Sequence, residues 1–154
     1  VSQITKVAAP VTPVLTKTVV LTSAQVKTLN ATPIIVIAAP GAGKYIMLLN
    51  ASANLTYGGT SVFIAGAVQS ISLRYKANGS GFNPGNASIL LNAGIVSASS
   101  YLNVGLPVLA RAATLASFEN QPIVAWNPIG TEISGNAAND NTVTINVAYQ
   151  VLTL

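Results

Sequence analysis

The residues in this 154-residue chain best placed to do chemistry are three acids, a glycine-rich turn ending in lysine, and a set of Asn-x-Ser/Thr triplets. Pro40-Gly41-Ala42-Gly43-Lys44-Tyr45 invites comparison with a phosphate-binding P-loop, whose backbone amides and lysine cradle a triphosphate. That motif needs a glycine five residues before its Gly-Lys pair, a hydroxyl after it and a following helix. Here Ala38 and Tyr45 occupy those two positions and a strand pattern follows, so the segment reads as a turn. Glu119 and Glu132 form a conceivable glycosidase pair, since that chemistry asks only for two suitably spaced carboxyls. With Asp140 they are the only acids in the chain, and surface or capping roles suit them better. The three lie in different segments without close ligand spacing, so no metal site is expected. Histidine and cysteine are both absent, which removes the usual base for an activated nucleophile, thiolate metal sites and disulfides. Neither an enzyme nor a cofactor-binding protein is expected.

The triplets at Asn30, Asn50, Asn54, Asn78 and Asn86 would fit a glycosylated secreted domain. A chain this rich in Asn, Ser and Thr generates several by chance, and the segment after Val1 has neither the cationic nor the apolar region of a signal peptide. Chance is the preferred account.

Composition excludes more than the motifs do. Hydrophobic residues make up 51% of the chain and charged residues only 6%, against about 25% charged in ordinary soluble domains. The apolar run Ile34-Ile35-Val36-Ile37-Ala38-Ala39 stops at Pro40-Gly41, far short of the roughly 20 residues of a spanning helix. A transmembrane barrel would call for about eight strands of some ten residues with aromatic girdles, and the few aromatics here are scattered. No membrane partner is expected. The net charge of +4 comes from dispersed cations, of which only Arg74 and Lys76 share a strand face. Specific nucleic-acid binding normally shows a concentrated basic stripe, and none is present.

The elements that must position these residues are strands. Residues 1–15 read as an extended arm in which Pro10 and Pro13 interrupt any period. Residues 16–154 read as one β-sandwich domain. Thr16 to Thr22 suits a strand, and Ser23 is expected to cap a helical turn running from Ala24 to Leu29 and ended by Asn30. Pro33 to Ala38 reads as a fully buried strand. Tyr45 to Tyr57 settles into alternation, with Leu49, Ala51, Ala53, Leu55 and Tyr57 on one face and Asn50, Ser52, Asn54 and Thr56 on the other. Further strands are expected at Thr60 to Ala65, at Ser70 to Lys76 with Ser72 and Arg74 outward, and at Pro122 to Trp126. The stretch 87–118 stays open between a short helix and an irregular strand around Leu106 to Ala113. After a polar loop at Ser134 to Asn141, the clearest strand turns Val143, Ile145, Val147, Tyr149 and Val151 inward. At Leu152 and Leu154 the apolar set changes face, which calls for a bulge or an intersubunit contact. About eight short strands and one helical turn give an all-β chain, a β-sandwich or jelly-roll-like module with one short helix and an extended N-terminal arm.

The helical turn Thr22 to Pro33, the segment Ala38-Ala39-Pro40-Gly41-Ala42-Gly43-Lys44, the stretch Leu55-Thr56-Tyr57-Gly58-Gly59-Thr60, Glu119-Asn120-Gln121-Pro122 and the end strand Val147-Ala148-Tyr149-Gln150-Val151 together resemble small virion structural proteins of tailed bacteriophages, of the head decoration or cement type. The resemblance implies a protein on the outer surface of the capsid that bridges neighbouring capsomers. It implies two partners, the major capsid protein and further copies of itself, a trimer being preferred to a dimer. A receptor- or glycan-binding tail or fibre module is the rival, for which Trp126 and the tyrosines would supply stacking surfaces. Apolar residues of the arm carry too little charge for a solvated tail, so intersubunit contacts are expected at Ile4, Val7, Val11, Val14 and Leu15, together with Leu152 and Leu154.

Overall fold

In a computed structural model of the chain, the structure describes residues 11–66, 69–75, 89–91, 101–104 and 117–154. The expectations at Ile4 and Val7 and the segment around Leu106 to Ala113 lie outside them. Ten strands and one helical turn are described: β1 (Leu15–Thr22), α1 (Ser23–Val26), β2 (Ile34–Ile37), β3 (Lys44–Thr56), β4 (Phe63–Ile64), β5 (Ile71–Tyr75), β6 (Ile89–Leu91), β7 (Tyr101–Val104), β8 (Ile123–Trp126), β9 (Ser134–Gly135) and β10 (Thr142–Thr153). Every pairing is antiparallel. One sheet has the order β1-β10-β3-β7, a second β2-β8-β5-β6, and β4 pairs with β9 in a small third sheet. The chain is all-β and sandwich-like, as its alternating pattern requires.

A single apolar cluster joins the two large sheets. Leu21, Ile46, Leu48, Ala53, Leu55, Val143 and Ile145 come from the first, and Val36, Ile71, Leu73, Tyr75, Ile123 and Ala125 from the second. Alternation in β10 follows the expected parity, with Val143, Ile145 and Val147 buried and Tyr149 packed against the core. Burial of each such side chain stabilises the fold by roughly 1.5 to 3 kcal/mol, which is why these positions fix the register.

Several expectations are corrected. In β3 the core residues before the middle are Ile46 and Leu48, not Leu49: Ala148 pairs with Asn50 and Tyr149 with Leu48, leaving Leu49 as the extra residue of a bulge. The solid apolar stretch Tyr45 to Leu49 hides this shift, because either parity reads as hydrophobic. Of the bulge or intersubunit contact expected at Leu152 and Leu154, the bulge falls in the neighbouring strand, across from Ala148 and Tyr149. β2 is an edge strand with Ile35 54% exposed, so its apolar run is buried on one side only. Ser72, expected outward, is fully buried, as is Val124; β5 and β8 are interior strands covered on both faces. Leu15, expected to end the arm, is the first residue of β1 and pairs with Tyr149.

At α1 the cap is Thr22 rather than Ser23. Thr22 accepts from the Gln25 amide while the Gln25 side chain accepts from the Thr22 amide, a reciprocal capping box. Ser23 is thereby freed to point inward.

A candidate interaction surface and the loops that frame it

The two candidate glutamates are spent on backbone amides. One Glu132 oxygen accepts from the Asn30 amide at 2.9 Å and the other from the Ala31 amide at 2.7 Å, closing the turn that follows α1. The Asn30 side chain continues this pin by donating to the carbonyls of Asn127 and Ile129, and the Trp126 indole donates to the Asn30 carbonyl. Glu119 accepts from the Gly43 amide at 2.8 Å, and Asn120 accepts from the Gly41 amide at 2.9 Å while its own amide donates to the Lys44 carbonyl. The segment resembling a P-loop is thus a turn held by side chains from residues 119–120. Gly41 and Gly43 both lie at positive φ, where a side chain would be strained. Asp140 bonds Thr60 and Asn136. The bond from Asn136 first, and that from Thr60 second, hold its carboxyl below the ordinary 3.8. The three acids are held by separate sets of partners.

The loop expected to be merely polar between Ser134 and Asn141 holds a buried network. The Asn136 side-chain oxygen accepts from the Ser23 hydroxyl at 2.7 Å and the Asn141 amide at 3.0 Å, and its nitrogen donates to the Ser61 carbonyl and the Asp140 carboxylate. The Asn141 side chain donates to Ser61 and accepts from the Gly58 amide. Asn136 also sits at φ 42°, a left-handed conformation that asparagine tolerates better than most residues. One side chain therefore joins the start of α1, the turn after β3 and the approach to β10.

A different surface uses the same residue types without such commitments. Cross-strand partners share a face, so Thr16, Thr18 and Val20 of β1, Thr144, Asn146 and Ala148 of β10, and Asn50, Ser52 and Asn54 of β3 lie together on the outer face of the first sheet. Leu21, Val143, Ile145, Ala51, Ala53 and Leu55 occupy the opposite, buried face. The outer face of these three strands carries no charge. Thr18 donates to Asn146 at 2.7 Å across it, and a shallow open depression lies along Thr16, Thr18, Asn50, Ser52, Asn146 and Ala148, with Lys17 and Val147, whose parity is that of the other face, also lining it. Beyond the Leu49 bulge the same face becomes apolar, because Met47 pairs with Gln150 and Tyr45 with Leu152, opposite the inward pairs Leu48 with Tyr149 and Ile46 with Val151.

The expected contact residues divide accordingly. Leu152 belongs to this apolar end, half-buried beside Tyr45, and Leu154 is 48% exposed with its amide bonded to the Gly43 carbonyl. Val11 is 91% and Val14 58% exposed, while the Gln150 side chain donates to the Thr12 carbonyl and draws this segment towards the same end. Leu15, opposite Tyr149, lies on the core side. Tyr45, Met47 and the Thr and Asn rows were not singled out from the sequence as a contact surface. Their signal was the alternation itself, which becomes a surface only once β1, β10 and β3 are known to be neighbours. Trp126, the stacking candidate, is half-buried with the Arg74 guanidinium 5.8 Å from its ring centre, so one ring face is already occupied.

Comparison of the chain with protein-family models, with curated proteins and with solved structures finds no match.

Proposed function

We propose that the chain is a non-enzymatic virion structural protein, a capsid decoration or cement protein that binds the outside of a shell of major capsid protein and acts there as a homo-oligomer. The observation that carries this reading is the uncharged Thr/Asn/Ser face of β1, β10 and β3 with its apolar end at Tyr45, Met47 and Leu152. A face of that kind hydrogen-bonds to a protein surface without charge repulsion between adjacent copies, in a molecule whose net charge is otherwise +4. Many weak copies on a repeating shell hold by avidity, which lessens the demand on any single contact. The resemblance of the turn segments to phage decoration proteins points the same way.

The test is to add the purified protein to shells lacking it and measure occupancy by particle reconstruction. Density over the shell that involves the β1, β10 and β3 face is expected, and removal of residues 1–10 is expected to lower occupancy while leaving the melting temperature unchanged. Binding to a glycan array with no shell occupancy would transfer the protein to the receptor-binding class.

A further inference from the structure

β1 is an edge strand of eight residues whose pairing with β10 runs from Leu15 to Thr22 without a register break. No strand among the described residues pairs with its other edge. Among the described residues, the backbone of 15–21 makes no hydrogen bond outside the β1 and β10 ladder, and only at Thr22 does the amide turn to a side chain, that of Gln25. Natural sheets protect such an edge with proline, a bulge, shortness or charge. β1 has none of the first three and a single charge, Lys17. All its residues except Val19 and Leu21 are exposed.

We propose that β1 pairs antiparallel with β1 of a second copy about a two-fold axis normal to the sheet, joining two four-stranded sheets into one of eight strands. The strand is complementary to itself. A two-fold pairing that keeps core-side residues on the core side must match residues of equal parity. Centred on Thr18, it sets Thr18 opposite Thr18, Thr16 opposite Val20 and Lys17 opposite Val19. Centred on Val19, it sets Thr18 opposite Val20 and Lys17 opposite Leu21. Neither register brings Lys17 against Lys17, the like-charge opposition that destabilises a pair. The neighbouring outer rows of β10 and β3 are uncharged in both copies, so the seam brings no repulsion on that face. The inference rests on the homo-oligomer reading alone and is tested on isolated protein, so failure of capsid binding leaves it standing.

The chain has no cysteine, so single-cysteine variants report one position each. Opposed residues in an antiparallel pair have Cα atoms about 4.5 to 5.5 Å apart, within disulfide range. Thr18→Cys and Val19→Cys, each on the axis of one of the two registers and so opposite itself there, would be oxidised in solution beside Thr144→Cys, one strand further in and at least about 14 Å from its mate across the seam at ordinary strand spacing. Covalent dimers are expected from at least one β1 position and not from Thr144→Cys. Sedimentation of the unmodified chain is expected to give a concentration-dependent species of twice the 15.7 kDa chain mass. Thr18→Lys and Thr18→Glu are each expected to lower that association at least tenfold and to recover it when mixed. A monomer at all concentrations, a species of three chain masses, cross-linking equal at Thr144→Cys, or no recovery on mixing would each overturn the proposal. Circular dichroism of each variant separates lost association from lost fold.

Discussion

Asn136 and Asn146 are chemically identical side chains ten residues apart, one in the loop before β10 and one within it, yet the fold uses them in opposite ways. Asn136 is buried and bonded through all its polar atoms to Ser23, Ser61, Asp140 and Asn141. Asn146 is exposed on the outer sheet face and accepts one bond, from Thr18. The composition treats both as uncharged polar surface, and only the partners distinguish a staple inside the fold from a group available to another molecule. Buried polar atoms left unpaired cost far more than exposed ones, so the difference is measurable.

The largest effect is expected at the staple. Asn136→Ala strands the Ser23 hydroxyl and the Asn141 amide, takes one of two donors from the Ser61 carbonyl and places alanine at positive φ, for a loss of about 3 to 4 kcal/mol in denaturant unfolding. A loss below about 1 kcal/mol would mean that water replaces the side chain and that the contrast with Asn146 is shallow. Next comes Glu132→Ala, which releases two amides from a carboxylate and should cost about 2 to 3 kcal/mol. A smaller loss is expected in Glu132→Gln, which keeps one acceptor but turns an NH2 group towards the other amide.

Tyr75 sharpens the comparison from inside the core. Its hydroxyl donates to the Ile46 carbonyl and its ring meets Phe118 edge-on at 5.1 Å. Burial first, and the neighbouring Tyr45 second, push its pKa from 10.0 to about 12. Because the folded value is raised, the stabilisation by the neutral phenol is complete below pH 10 and is lost as pH rises towards 12. Tyr75→Phe should therefore cost about 1 kcal/mol at neutral pH and flatten the decline of the melting temperature across that alkaline window. An unchanged decline would assign the alkaline loss to other groups. The smallest effect belongs to the outer face: Asn146→Ala is expected to change stability by less than about 0.5 kcal/mol, and a larger loss would move Asn146 into the class of Asn136.

The same contrast explains what was legible in the sequence. The inward parity of Val143, Ile145 and Val147 was readable because it is local, each residue reporting its own side of a strand. The helical turn was readable too, though its cap moved by one residue because Thr22 and Ser23 are equally suited to capping and only the Asn136 bond, 113 residues away, decides between them. The Leu49 bulge was hidden in a run where both parities are apolar. β2 and β5 read wrongly for a related reason, since burial of the second face depends on which strands lie at the edge. Roles that depend on distant partners, such as those of Asn136, Glu132 and the rows on β1, β10 and β3, leave no local period to find.

The placement of β10 between β1 and β3 has a mechanical consequence. It is laced to β1 over eight residue pairs and to β3 over twelve, all running along its length. A pull along the strand axis loads those ladders in shear, so many hydrogen bonds must yield together, whereas a pull across the axis opens them one after another from an end. The first sheet is therefore strong in one direction and weak in the perpendicular one. Tension carried along β10 would meet the stiff direction, and the rate of forced unfolding should depend on where the load is attached more than on the equilibrium stability of the fold.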